Sequence, residues 1–110
     1  MKEYEEEITN RDRIKKIINH YGIMKQLKYL HTEYFELDQA IIDYENLKDF
    51  NISDKKYLKN HIKEEVADVL LMIDQFITYY GLDFDEISEI MEYKMNRQLE
   101  RITSEQEGDN

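Results

Sequence analysis

The sequence contains no cysteine and no proline, and it has only three glycines. Without cysteine the chain can form neither a disulfide framework nor a thiolate metal site. Folds built from strands and tight turns usually need more glycine and proline, so the scarcity of both favours helices. The sequence also lacks an apolar run that approaches the length of a membrane span, so we expect no membrane partner.

The charge of the chain is strongly unbalanced, because 25 acidic side chains outnumber 15 basic ones and give a formal net charge of −10. Such a surface repels phosphate backbones, so we expect no nucleic-acid partner. A nucleotide can still bind to it when metal ions offset the charge of its phosphates. Residues 1–7 are charged and lack the apolar core of a signal peptide, so we expect a cytoplasmic protein.

Apolar residues recur at helical spacing in four segments of the chain. We predict that these segments form helices over residues 9–21, 23–44, 54–80 and 83–102. Gly22 and Gly81 suit the ends of the first and third helices. Ser53 or Asp54 suits the start of the third helix, and Asp83 suits the start of the fourth. The predicted fold class is therefore all-α, a bundle of four to five helices.

A length of 110 residues suits one domain. We predict a single domain over residues 1–102, a connecting loop over residues 45–53, and a disordered polar tail over residues 103–110. At this size the core is modest, so the stability of the fold can depend on oligomerisation.

Each of the two long central helices carries an apolar seam suited to packing against another helix. The predicted seam of the second helix consists of Ile23, Leu27, Leu30, Tyr34, Leu37, Ile41 and Tyr44, and that of the third of Ile62, Val66, Val69, Ile73, Phe76 and Tyr80. Residues 69–73 are apolar on more than one face, which is typical of a helix that is buried on several sides. In so small a chain, this pattern indicates a second subunit.

Two pairs of carboxylates flank these seams, Glu33 with Glu36 on the second helix and Glu65 with Asp68 on the third. The members of each pair are three residues apart, so they are neighbours on one helix face, with about 5–6 Å between their β-carbons. If the two helices pack together, the four carboxylates can converge at the edge of the core. Clustered carboxylate oxygens suit a hard cation such as Mg²⁺.

Acidic residues three positions apart also occur where they do not indicate a metal site. Glu86 and Glu89 on the fourth helix point away from its seam, so we interpret them as ordinary solvated carboxylates. An alternative interpretation applies to the two flanking pairs as well. They can be the flanking charges of a helix bundle that pair with lysine or arginine across the interface.

Two segments carry a resemblance to a known family: LHTEYFELDQAI at residues 30–41 and EEVADVL at residues 64–70. They resemble the MazG-like nucleotide pyrophosphohydrolases of the all-α NTP pyrophosphatase superfamily, whose signature is EExxE, a spacer and then ExxD. The resemblance covers about residues 14–102. Thr32 departs from the signature, because it stands where the family has the first glutamate of the EE doublet.

The multi-faced apolar segment at residues 69–73 leads us to expect a homodimer or homotetramer. The resemblance implies an enzyme in which Glu33, Glu36, Glu65 and Asp68 bind Mg²⁺, or Mn²⁺ in its place. The implied reaction converts a nucleoside triphosphate and water to the monophosphate and pyrophosphate, for nucleotide-pool control or the removal of damaged nucleotides. Glu36 and Glu65 are the predicted catalytic residues, with Glu36 positioning or deprotonating the attacking water.

The fourth helix contributes a basic cluster of Lys94, Arg97 and Arg101 where its seam turns polar. In so acidic a chain, these cations are candidates for holding phosphate oxygens. Members of the resembled family have lysine and arginine in the last helix near the phosphates. Alternatively, cations near a helix C-terminus simply complement the helix dipole.

The rival to an enzyme is a non-enzymatic helical interaction module, in which the acids are only interface charges. A di-iron helical bundle is disfavoured, because no histidine follows a glutamate by three residues. Binding of Mg²⁺ distinguishes the enzyme from the interaction module.

Overall fold

The structure is a computed structural model that describes residues 9–47, 49–50 and 52–108. In these ranges it contains four α-helices and no strand, so the prediction of an all-α chain is confirmed. The helices are numbered in chain order as α1 (Asn10–Tyr21), α2 (Ile23–Leu47), α3 (Ile52–Tyr79) and α4 (Phe84–Gly108).

Helix α1 has a well-defined cap at each end. The side-chain oxygen of Thr9 accepts a hydrogen bond of 3.1 Å from the backbone N–H of Asp12, which satisfies one of the free donors of the first turn. At the other end, Gly22 adopts a φ of 88° and its N–H donates to the carbonyl of Ile18 at 2.8 Å. Glycine suits this position because it has no β-carbon to clash at positive φ.

The connection between α2 and α3 is shorter than predicted. Helix α2 continues to Leu47, since residues 45–47 (Glu-Asn-Leu) include two good helix formers. Helix α3 begins at Ile52, so Ser53 and Asp54 lie inside its first turn and are not its N-cap. Gly81, with a φ of 62°, follows the end of α3 as predicted.

Helix α4 begins as predicted but ends later. The Oδ1 of Asp83 accepts a hydrogen bond of 2.8 Å from the N–H of Asp85 and caps the first turn. The helix continues past Ile102 to Gly108, so residues 103–108, expected to be a disordered tail, are helical. The Thr103 hydroxyl donates to the Leu99 carbonyl at 3.1 Å, and residues 104–107 (Ser-Glu-Gln-Glu) contain good helix formers. Residues 109–110 lie outside the described ranges.

The helices group into two compact units, one ending at Tyr80 and the other beginning at Gly81. The single domain over residues 1–102 stays a prediction. In the first unit, α1, α2 and α3 pack against one another. Its buried apolar side chains come from all three helices: Ile14, Ile18, Ala40 and Met72. The second unit contains α4, none of whose residues is buried.

Two buried glutamines link α2 to α3. Gln26 and Gln75 are 4% and 2% exposed, and the Nε2 of Gln26 donates to the Oε1 of Gln75 at 2.7 Å. The Nε2 of Gln75 in turn lies 3.6 Å from the sulfur of Met72. Buried amides are normally hydrogen-bonded because an unpaired one loses its hydration without replacement. The interface between α2 and α3 therefore contains a buried polar pair as well as apolar side chains.

The predicted apolar seams are only partly buried within the first unit. Six exposed apolar residues lie on these seams or next to them, and we call them the apolar flank: Leu27, Tyr34, Ile41, Val66, Leu70 and Ile73. Their exposed fractions range from 37% at Leu27 to 65% at Tyr34. On α2 and α3, the buried polar residues Gln26, Glu65 and Gln75 lie on the neighbouring face, which is more deeply buried than the apolar flank. Despite this open apolar surface, none of the described helices is both long and apolar enough to cross a bilayer.

Candidate metal centre

Three carboxylates converge where α2 packs against α3. Glu33 and Glu36 come from α2 and Glu65 comes from α3, and one oxygen of each lies within 4.8 Å of the others. We call this set the carboxylate cluster. Glu65 is buried at 7% exposure, Glu33 is half-buried and Glu36 is exposed. The cluster thus spans the boundary between the core and the solvent.

The packing of small and polar residues explains why the acids come this close. Ala40 lies one turn beyond Glu36 and is 1% exposed, so little side-chain volume separates α2 from its neighbours there. Separation between packed helices depends on the side chains at the contact. The i, i+3 spacing of Glu33 and Glu36 then places both carboxylates towards the same side of α2.

Burial and mutual repulsion both act on the cluster. Burial raises the pKa of Glu33, and the carboxylates of Glu36, Asp68 and Glu65 raise it further. Burial also raises the pKa of Glu65, as do Glu36 and Asp68, while His61 acts in the opposite direction. Both causes disfavour the charged form of a carboxyl group. The cluster therefore favours a bound proton or cation over free negative charges.

Among the residues that the structure describes, the cluster has no strong cationic partner. Over the described ranges, no lysine or arginine forms an ion pair with Glu33, Glu36 or Glu65. The basic group in contact is His61, whose Nε2 lies 3.9 Å from Glu65 Oε1 and whose Nδ1 lies 3.9 Å from Glu64 Oε2. The pairing with lysine or arginine that the flanking-charge interpretation requires is thus not found within the described chain.

Two oxygens of the cluster are buried without a partner. Glu33 Oε2 and Glu65 Oε2 are inaccessible and accept no hydrogen bond in the part of the chain that the structure describes. A buried polar atom without a partner typically costs about 1–3 kcal/mol. A divalent cation would satisfy both oxygens, and carboxylate oxygen is the ligand type that Mg²⁺ prefers. The residues present therefore fit the metal that the sequence pattern implies.

Asp68, the fourth predicted ligand, stands apart from the tight cluster. It is exposed on α3 and is not among the three residues whose oxygens approach within 4.8 Å. Its charge nevertheless raises the pKa of both Glu33 and Glu65. Asp68 is therefore close enough to act on the cluster electrostatically.

The predicted phosphate-binding cations belong to the second unit. Lys94, Arg97 and Arg101 are exposed and lie on α4 at intervals of three and four residues, so they share one side of that helix. Among the described residues, no carboxylate forms an ion pair with them. Their ammonium and guanidinium groups are thus open to an anionic ligand.

Sequence reasoning did not single out the buried pair Gln26 and Gln75. A signal was present, because Gln26, Glu33 and Ala40 recur at intervals of seven along α2, and Gln75 follows Asp68 by seven on α3. Residues seven apart lie on nearly the same face, about 10 Å along the helix axis. The glutamine pair therefore continues the face that carries the acids.

Comparisons of the chain with models of known protein families, with curated proteins and with solved structures return no match.

Proposed function

We propose that this protein is a Mg²⁺-dependent nucleoside triphosphate pyrophosphohydrolase. The observation that carries the proposal is the carboxylate cluster, in which Glu33, Glu36 and Glu65 bring their oxygens within 4.8 Å of one another. Glu33 Oε2 and Glu65 Oε2 are buried without a partner among the described residues, and no lysine or arginine of the described chain forms an ion pair with the cluster. Three carboxylates this close together repel one another unless a cation offsets their charge, and this supports a role for the cluster in binding a cation.

The metal would be held by Glu33, Glu36 and Glu65, with Asp68 as the fourth acidic group. Bound there, Mg²⁺ would polarise phosphate oxygens and lower the pKa of a coordinated water. Mn²⁺ has similar preferences for oxygen ligands and can replace it.

The reaction is a substitution at the α-phosphorus of the nucleotide. The oxygen of a water molecule forms a bond to that phosphorus, and the bond from it to the α,β-bridging oxygen breaks. The products are the nucleoside monophosphate and pyrophosphate, which leaves with the electron pair of the broken bond. Glu36 is the exposed member of the cluster, and we assign it the proton of the attacking water.

Positive charge is needed where negative charge accumulates on the leaving pyrophosphate. Lys94, Arg97 and Arg101 supply it in this proposal, since all three are exposed on one side of α4 and free of carboxylate partners within the described ranges. The resemblance to the MazG-like family supports the same role. The reaction would serve nucleotide-pool control or the removal of damaged nucleotides.

We further propose that the active species is a homodimer or homotetramer. The apolar flank supports this, because Leu70 is 59% exposed and Ile73 is 41% exposed. Apolar patches that are open to water commonly mark protein interfaces. Light scattering should show an assembly that Ile73→Glu weakens and that Tyr57→Glu, a change at another exposed position on α3, leaves intact. A monomeric wild-type protein at micromolar concentration contradicts this proposal.

The function is tested by incubating the protein with a panel of canonical and modified nucleoside triphosphates and measuring pyrophosphate release. We expect release with at least one substrate, strict dependence on Mg²⁺ or Mn²⁺, and a monophosphate as the second product. Calorimetric titration with Mg²⁺ separates this function from a non-enzymatic interaction module, which the exposed apolar flank would otherwise suit. Absence of both Mg²⁺ binding and turnover would favour the interaction module.

A further inference from the structure

One part of this acidic chain is basic. Residues 9–32 contain six cationic side chains and one carboxylate, a formal balance of +5 within a chain of −10. The cations are Arg11, Arg13, Lys15, Lys16, Lys25 and Lys28, and the carboxylate is Asp12. Such a segregated positive surface attracts anions and raises their local concentration. The segment forms α1 and the first part of α2, the helix that also carries Glu33 and Glu36.

A shallow cavity lies on the basic part of α2. It has a volume of about 240 Å³ and is lined by Lys25, Lys28, Tyr29 and Thr32, which we call the lysine groove. These positions follow the i, i+3, i+4, i+7 spacing of a single helix face. Both lysines, the tyrosine and the threonine are exposed, so the groove is open to a ligand from solution.

The side chains of the groove are partly organised already. The Nζ of Lys25 lies 5.3 Å from the ring centroid of Tyr21, at the end of α1, in a cation–π arrangement. The Thr32 hydroxyl donates to the carbonyl of Lys28 at 3.4 Å. Within the described ranges neither lysine forms an ion pair with a carboxylate. Two ammonium groups therefore face solvent without a counter-charge.

The groove and the carboxylate cluster are adjacent on the same helix. Thr32 lines the groove, and Glu36 of the cluster follows Thr32 by four residues, so Glu36 lies on the same face of α2 one turn further on. At 1.5 Å per residue, Lys28 is only about 7–8 Å along the axis from Glu33, and Lys25 is about 12 Å away. A phosphate chain anchored through a metal at the acids can therefore extend along α2 to the lysines.

We propose that the lysine groove binds the terminal phosphates of the same triphosphate substrate, with Lys25 and Lys28 donating to phosphate oxygens. This inference rests on the proposed function, because the acids and the metal would hold the reacting end of the phosphate chain. It fixes a direction for the substrate: the pyrophosphate leaving group lies towards the N-terminal end of α2. Lysine ammonium groups act as point charges for phosphate, and charge-assisted contacts of this kind are the strong ones.

The test compares two double variants with the same change in charge. Lys25→Met/Lys28→Met removes the groove ammonium groups but keeps much of their aliphatic stems, and Lys55→Met/Lys56→Met does the same at exposed positions in the first turns of α3. The probe is linear tripolyphosphate with Mg²⁺, titrated by calorimetry. We expect the groove variant to bind it about tenfold more weakly or worse. The α3 variant should match the wild type, and Mg²⁺ alone should bind equally to all three proteins.

Each other result overturns the inference in a distinguishable way. If both variants bind Mg²⁺–tripolyphosphate with equal affinity, the lysine groove does not bind the terminal phosphates. The metal centre and the proposed function are not affected by that result. Weaker binding of a nonhydrolysable nucleoside triphosphate without weaker binding of tripolyphosphate places the nucleoside in the groove. If the wild-type protein binds neither Mg²⁺ nor Mg²⁺–tripolyphosphate, the result contradicts the proposed function as well as the lysine groove. If circular dichroism shows that the double variant has lost helix, Lys28→Gln alone is compared with Lys56→Gln in the same titration.

Discussion

Two pairs of glutamates with the same spacing have very different surroundings in this protein. Glu33 and Glu36 on α2 lie against Glu65 of α3, with oxygens of all three within 4.8 Å. Glu86 and Glu89 on α4 are both exposed, on a helix with no buried residue. Nothing in the spacing itself separates the two pairs, since each consists of glutamates three residues apart.

The difference lies in what packs against each pair. Where α2 packs against α3, water is excluded from Glu33 Oε2 and from Glu65 Oε2, and Glu65 adds a third negative charge to the pair. Repulsion between like charges is weak in water but strong where water is excluded. The α2 pair therefore carries an unfavourable free energy that a bound cation would relieve, whereas the α4 pair is exposed to water.

The largest expected effect is on turnover. Glu65→Gln keeps the shape of the side chain and removes a ligand charge, so we expect a loss of more than about a hundredfold in pyrophosphate release. Glu89→Gln, the matched change on the hydrated pair, should leave turnover close to the wild type. Steady-state assays of both variants, with circular dichroism to check their helix content, make the comparison. Equal activities would mean that the carboxylate cluster is not the active site.

The second effect concerns stability. Because Mg²⁺ would bind the folded cluster and not the unfolded chain, it should stabilise the fold by about 2.7 kcal/mol at a concentration of about 100 times its dissociation constant. Thermal unfolding followed by circular dichroism, with and without Mg²⁺, measures this. Glu89→Gln should retain the stabilisation and Glu65→Gln should lose most of it. Stabilisation that survives Glu65→Gln would place the metal elsewhere.

A smaller effect on kcat/KM is expected from Lys94, which lies on α4 together with Glu86 and Glu89. If Lys94 offsets charge on the leaving pyrophosphate, Lys94→Met should lower kcat/KM by about one to two decades, with part of the loss in kcat. The affinity for Mg²⁺ without nucleotide should stay near that of the wild type. Full kcat/KM in this variant would leave Lys94 as a cation that only complements the helix dipole, and Arg97 and Arg101 would be examined next.

The smallest effect is a pH dependence. The pKa values of Glu33 and Glu65 are raised by burial and by neighbouring carboxylates, so the folded state binds protons more tightly there than the unfolded chain does. Without metal, the resulting stability is present below the ordinary glutamate pKa and is lost as pH rises through the raised values. Mg²⁺ affinity should change in the opposite sense and weaken as the pH falls through that range.

Thermal unfolding and Mg²⁺ titrations at several pH values measure both trends. The double variant Glu33→Gln/Glu65→Gln lacks the titrating groups and should show flatter stability over the same range. The matched variant Glu86→Gln/Glu89→Gln should keep the wild-type profile. The assignment would be contradicted if the free energy of unfolding of the wild type, measured without metal, rose with pH over this range instead of falling.

Much of the fold follows from local signals along the chain. The caps at Gly22 and Asp83 were predicted because capping depends on the chemistry of a few neighbouring residues, whereas Thr9 was expected inside the first helix and is its N-cap. The ends of α2 and α4 were predicted too early, since polar residues such as Asn46 and Ser104 are compatible with a loop or with a continuing helix. Local composition does not decide between these two outcomes.

The sequence alone was sufficient for the all-helical class and for placing acids at the edges of two helical faces, because both depend only on composition and on periods of three to four residues. Which face α2 turns towards α3 was decided by tertiary structure. The apolar stripe of α2 is only partly buried, with Tyr34 65% exposed. The buried residues of the helix are Gln26 and Ala40, which share a face with half-buried Glu33. Burial, the orphaned oxygens and the raised pKa values arise only when another helix displaces water, which is why Glu33 differs from Glu86 despite identical spacing.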